Sequence, residues 1–152
     1  MISKLRQVFV VVTIATLFFS REACKKKDTL TMDVDDTAQV DPLQNKGIGP
    51  VKSVTLDGIN AGLVSRGQKV FETKCQACHQ FEAKVVGPAL KGVTQRRSPE
   101  WIMNMILNTN EMVEKDPIVK SLIAEYMTKM TYQNVSEEEA RALLEFFREK
   151  DK

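Results

Sequence analysis

Hydrophobic and polar positions divide the chain into three regimes. Residues 8–19 form one unbroken apolar run, VFVVVTIATLFF, behind Lys4 and Arg6. Residues 25–50 are polar and acidic, with Asp28, Asp33, Asp35, Asp36 and Asp41, and are broken by Pro42, Gly47, Gly49 and Pro50. That composition predicts a flexible linker. Residues 51–59 alternate weakly and predict a short extended piece on the domain surface. From about Asn60 onward the apolar positions fall at helical spacing.

A first helix is predicted over residues 61–73, with Ser65 and Gln68 as a reciprocal cap and Leu63 and Val64 hinting at an earlier start. Gly87-Pro88 and Gly92 mark a loop. Ser98-Pro99 reads as N-cap and first helical position, opening a helix with Trp101, Ile102, Met105 and Ile106 on one face. Asp116-Pro117 repeats that signal ahead of Ile118, Val119, Leu122, Ile123 and Tyr126. Residues 128–135 are irregular. Ser136 with Glu139 forms a capping box, and Ala140, Leu143, Leu144 and Phe147 follow at the spacing of one apolar face. No strand is expected in the domain. The fold class is therefore all-α, with four to five short helices.

Between the first two helices stands Cys75-Gln76-Ala77-Cys78-His79. This spacing points to covalent attachment of one haem c. Two thiols on one side of a turn reach two vinyl groups, and the imidazole that follows reaches the iron from the same turn. Other readings fit less well. A redox dithiol wants a strand–helix–strand setting, which is not visible. Structural zinc needs four N or S ligands, and this chain has three cysteines and one histidine in all. A disulfide closing so small a loop adds little stability.

His79 is the sole histidine, so two histidines cannot both hold the iron. The second axial position falls to methionine, lysine, water or none. Met1 and Met32 lie outside the helical region, Met103 and Met105 suit core packing, and Met112 sits in a polar loop. Met130 is in an irregular stretch from which a thioether can be presented to a metal. Met127 reads as a helix end and is the alternative. A thioether ligand favours ferrous iron and raises the potential.

The chain is 152 residues long, enough for one ordinary domain, with a formal net charge of +2. Residues 1–23 carry Lys4, Arg6 and Arg21 against Glu22, so their removal leaves a chain near neutrality. Basic residues are scattered among acids, which argues against a nucleic-acid partner. The apolar run is short for a bilayer span and suits the core of an export signal. Ala23 before Cys24 resembles a lipoprotein processing site, although Arg21 stands where a Leu-like residue is usual. The expected division is a signal peptide at 1–23, a lipidated or free N-terminus with an acidic linker at 24–60, and a haem domain at 61–152. Lipidation of Cys24 would place the domain on the periplasmic face of a membrane. Simple cleavage would leave it free in the periplasm, and an uncleaved segment would serve as the anchor itself. Export and cysteine usage agree, since no free thiol would remain in an oxidising compartment.

Residues 63–150 taken together resemble monohaem class I cytochromes c of bacterial type. Gly67 and Phe71 resemble the pair that packs on the last helix, with Phe146 or Phe147 as the partner of Gly67. Cys75, Cys78 and His79 match the haem motif, and Trp101 the aromatic of the middle helix. Gly87-Pro88-x-Leu90 resembles the loop whose proline carbonyl accepts the histidine N–H. Met130 lies six residues before Ser136, as in the methionine loop, with Thr131 where proline is usual. The resemblance implies a cytochrome c fold around one haem and His79/Met130 ligation. It implies an electron carrier cycling between Fe(II) and Fe(III), not an enzyme, with redox proteins as weakly docking donor and terminal acceptor. The haem edge would lie near Ala77 and Gln80. Lys74, Lys84, Lys91, Arg96 and Arg97 would ring it, or else form ordinary solvated surface. A gas-binding domain with an open site is the alternative. Catalysis would want a positioned proton-transfer group, and there is no second histidine. A small helical domain also gains from a cofactor that supplies part of its interior.

Overall fold

The structure, a computed structural model, describes residues 41–152. The expectations for the export segment at 1–23, for Cys24, for Met32 and for linker residues 24–40 fall outside the described residues. Among the described residues there are six helices, no strand, and no helix long and apolar enough to cross a membrane.

α1 runs Ala61–Lys74 and α6 runs Glu137–Lys150. The cap of α1 differs from the predicted one. Asn60 is the N-cap, its side-chain oxygen accepting from Leu63 N at 3.0 Å. Ser65 and Gln68 instead bond Ala61 O and Glu72 within the helix. The predicted box on α6 is present. Ser136 Oγ accepts from Glu139 N, and Glu139 Oε2 accepts from Ser136 N. Three acids in the first turn and Arg148 and Lys150 in the last complement the helix dipole.

These two helices form the principal contact of the domain. Gly67, Val70 and Phe71 are the buried face of α1. Gly67 lies directly over α6: a Cβ there would stand 2.6 Å from the Ala142 carbonyl carbon and 2.9 Å from Phe146 Cβ. Of the two phenylalanines expected as partners, Phe146 is thus the one at the crossing. Phe71, Phe81, Phe146 and Phe147 pack at centroid distances of 5.2–6.2 Å, a cluster that joins both helices to the loop after the cysteine motif.

α3 spans Pro99–Leu107 and α5 spans Pro117–Tyr126, both with the predicted caps. Ser98 Oγ accepts from Trp101 N at 3.1 Å and Asp116 Oδ1 from Val119 N at 2.9 Å. Two further short helices were not expected. α2, Val93–Arg96, is held by a residue far away in sequence: the Asp151 carboxylate accepts from Gly92 N, Thr94 N and Thr94 Oγ1 at 2.6–2.9 Å. α4, Thr109–Lys115, contains Met112, which is fully buried and whose sulfur accepts from Ile48 N. Met112 therefore belongs to the core and not to a polar loop.

Residues 41–60 also depart from expectation. The sequence places 41–50 in a flexible linker and opens the domain at 61, with 51–59 extended on its surface; in the structure the whole stretch lies against α3, α4 and α6. Asn104 is the main clasp. Its Oδ1 accepts from Val51 N at 3.0 Å, while its Nδ2 donates to Lys46 O and Val51 O at 2.9 Å. Gly49 permits that approach, since a Cβ there would fall 2.7 Å from Asn104 Cγ. Asn108 bonds Ile48 O, Glu100 accepts from Val54 N, and Asn45 bonds Asp116.

The far end of this segment is fixed by Glu145, whose side chain is fully buried. It accepts from Asn60 N at 3.1 Å, from Arg148 at 2.9 Å, and from Arg141. Arg148 also donates to Asp57 O at 2.8 Å. Burial works against the charged form of Glu145. The bonds from Arg141 and Asn60 and the two guanidinium charges outweigh it and hold the carboxyl below its ordinary range. Glu145→Gln is expected to cost about 2 kcal/mol, less than the ~3–5 kcal/mol of a wholly buried pair because both arginines keep some solvent. A carboxyl depressed on folding stabilises above its unfolded value, near 4.3 for Glu, and the benefit is lost as pH falls through the folded value. The stability gap between wild type and Glu145→Gln should therefore close on acidification below about pH 4. Thermal unfolding at pH 7 and pH 3 checks both statements.

Candidate functional site

The hydrogen bonds of α1 continue past its end. Cys75 N and Gln76 N both bond Phe71 O at 2.9 Å, and Cys78 N and His79 N bond Cys75 O at 3.1 and 3.0 Å. Residues 75–79 are thus wound as one more turn. This is the arrangement that the x-x spacing was expected to give. Cys78 is exposed and Cys75 half-buried, both as free thiols. Burial, partly opposed by the neighbouring Lys74 ammonium, pushes the Cys75 thiol up to about 11.

A second segment backs the imidazole. Gly87 N bonds Cys78 O at 3.0 Å, Leu90 N bonds Gln80 O at 2.9 Å, and Lys91 N bonds Phe81 O at 3.0 Å. These bonds bring Pro88 O to 3.1 Å from His79 Nδ1. A carbonyl only accepts, so Nδ1 carries a proton, and in the neutral ring the lone pair is on Nε2. Gly87 is the residue that lets the loop come this close. A Cβ there would stand 2.9 Å from Nδ1 and 3.0 Å from Nε2. The sequence marked Gly87 only as part of a loop; its steric role appears once the ring is seen against it.

Four of the expected residues, Cys75, Cys78, His79 and Pro88, therefore come together. Met130 is carried by a different element, the irregular segment between α5 and α6. It is half-buried there, whereas Met127 is 85% exposed at a left-handed φ of 54° that caps α5. Met103 and Met112 are buried in the core, and Met105 packs against it from α3.

The five basic residues expected around a haem edge all make contacts within the domain. Lys84 Nζ lies 4.3 Å from the Tyr126 ring centroid, and Arg97 stacks over Trp101. Lys91 donates to Lys150 O, Arg96 to Ala89 O, and Lys74 to Asn134 O and Glu139.

The residues present fit a covalently held haem. Two unpaired thiols share one turn, the adjacent imidazole has its tautomer set, and Gly87 leaves the ring face clear of a side chain. Leu90, Met105, Leu122 and Ile123 are only partly covered at the margin of the core, leaving apolar surface for a flat apolar group.

Comparison with known proteins agrees. The sequence profile of the Cytochrome c family matches residues 64–150. A Synechocystis protein described as "Cytochrome c-553-like" is 38% identical over 48 residues, covering 31% of this chain and 46% of that protein. The chain thus matches about half the length of that relative. The solved cytochrome c from Rhodothermus marinus superposes with a TM-score of 0.66 at 47% identity, covering 68% of this chain and 90% of that one. An engineered form of that protein gives a TM-score of 0.66 at 46% identity over the same shares.

Proposed function

Because the chain belongs to the cytochrome c family and carries one covalently bound haem c, we propose that it is an exported one-electron carrier whose iron is held by His79 and Met130. The electron-carrier role follows from the family. The ligand set, the periplasmic setting and the lipid on Cys24 are the proposed refinements. The His79 Nδ1–Pro88 O bond, in the turn that holds both thiols, is the observation that carries the reading.

Each residue has a definable part. Cys75 and Cys78 would hold the haem as thioethers. His79 would supply Nε2 to the iron, while the bond to Pro88 O would keep the other ring nitrogen protonated and the imidazole electron-rich. Met130 would supply a thioether as the second ligand. When bound, the haem provides an iron that alternates between Fe(II) and Fe(III). With both ligands drawn from the polypeptide, this chain's own residues would fill the positions that an outside ligand could otherwise take. Partners would be redox proteins docking through small surfaces. The signal-type sequence at 1–23 and Ala23-Cys24 support export and anchoring.

The test is the spectrum of the ferric holoprotein. Wild type is expected to show the weak charge-transfer band at the red end that reports sulfur bound to iron. Met130→Ala is expected to lose it and to lower the midpoint potential by on the order of 0.1 V or more, given the reach of axial ligands over redox potential. Persistence of the band in Met130→Ala would reassign the ligand. Ready CO binding by the ferrous wild type would favour the open-site alternative.

A further inference from the structure

Residues 128–135 are weakly secured. The side chains of Tyr132 and Gln133, among the described residues, donate only within the segment, to Asn134 and Thr131. Among the described residues, one hydrogen bond joins this stretch to another element: Lys74 Nζ donates to Asn134 O at 3.0 Å. The same ammonium pairs with Glu139 Oε2 at 3.1 Å, and that oxygen accepts from Ser136 N at 2.9 Å. Asn134 itself has a left-handed φ of 49°, and the chain enters the core at the next residue, Val135. Lys74 is the last residue of α1 and directly precedes Cys75.

We propose that Lys74 is a positioning residue for the axial methionine: it ties the end of the Met130 segment to the helix that carries the two haem thiols. The inference rests on Met130 being the ligand. Lys74 touches neither iron nor haem in this role. It acts through Asn134, by limiting how far the segment can lift. Glu139 holds the ammonium in place from the first turn of α6. Without the bond, residues 128–135 would stay joined to the domain only through the covalent chain and the side chains they bury. The methionine would then compete less well against an outside ligand.

The experiment is an imidazole titration of the ferric holoprotein, followed by loss of the sulfur–iron band. Lys74→Met is expected to bind imidazole about tenfold more tightly than wild type, the factor for losing one hydrogen bond from a charged donor. Lys74→Arg keeps a cationic donor and is expected to remain within about twofold of wild type. Glu145→Gln weakens the fold elsewhere and is expected to leave imidazole affinity unchanged. An unchanged affinity in Lys74→Met, no rescue by arginine, or an equal rise in Glu145→Gln would each overturn the proposal. Should Lys74→Met not accumulate as holoprotein, Lys74→Gln carries the same comparison with a smaller expected rise. Met130→Ala separates the two levels. If it keeps the band, the axial assignment has failed; if it loses the band while Lys74→Met behaves as wild type, only the positioning role has failed.

Discussion

Gly67→Ala is expected to destabilise the domain by about 3 kcal/mol or more, although alanine is intrinsically the better helix former by about 1 kcal/mol. The added Cβ would sit 2.6 Å from the Ala142 carbonyl carbon and 2.9 Å from Phe146 Cβ. Neither neighbour is the free end of a flexible side chain. Ala142 is backbone in the middle of α6, a helix fixed at its start by the Ser136–Glu139 box. The two helices would have to separate, pulling Phe71 out of the aromatic cluster it shares with Phe81, Phe146 and Phe147. For a domain of this size that cost corresponds to a fall in melting temperature of roughly 12 °C or more. Gly58→Ala is the control, because a Cβ there meets nothing within 4 Å. A Gly67→Ala melting temperature equal to that of Gly58→Ala would show that the crossing is looser than its geometry implies.

Gly87→Ala is expected to damage the iron site more than the fold. The new methyl would press on both ring nitrogens of His79. The loop cannot easily retreat. Its Gly87 N–H is bonded to Cys78 O at 3.0 Å, and the next residue is a proline with fixed φ. Rotation of the ring, or withdrawal of the loop, breaks the 3.1 Å contact between His79 Nδ1 and Pro88 O. Losing such an outer partner weakens metal ligation by about 10–100-fold. The ferric spectrum should then shift in part from low-spin to high-spin, and less holoprotein should accumulate. The melting temperature should fall less than in Gly67→Ala. A wild-type ferric spectrum in Gly87→Ala would mean that the loop moves with Pro88 still in place.

The glycines show how differently two levels of the molecule are written. Cys75-Gln76-Ala77-Cys78-His79 can be read directly, because its spacing closes within one turn and needs no distant partner. The starts of α3, α5 and α6 are legible for the same reason. Ser98, Asp116 and Ser136 each accept a bond from a backbone N–H three residues on. α4 left no such signature, being seven residues long with only Met112 and Val113 as apolar positions. α2 depends on Asp151, which nothing in its own sequence announces. Residues 41–60 looked like linker because Asp41, Pro42, Gly47, Gly49 and Pro50 carry turn and loop chemistry. That chemistry is compatible with an ordered strap once Asn104 and Asn108 offer partners to its backbone.

The cysteine–histidine motif, the all-helical class and most helix starts follow from the residues alone, since each is settled by groups within a few positions of one another. That residues 41–50 belong to the domain, that Glu145 is a buried anchor and that Lys74 reaches Asn134 emerge only once the chain is packed. Those contacts join residues dozens of positions apart, 53 for Val51 and Asn104 and 60 for Lys74 and Asn134. No local pattern of side chains encodes such a meeting; it exists only after tertiary packing, of the 41–60 segment on α3 for Val51 and Asn104 and of α1 on α6 for Lys74 and Asn134, has brought the partners within hydrogen-bond reach.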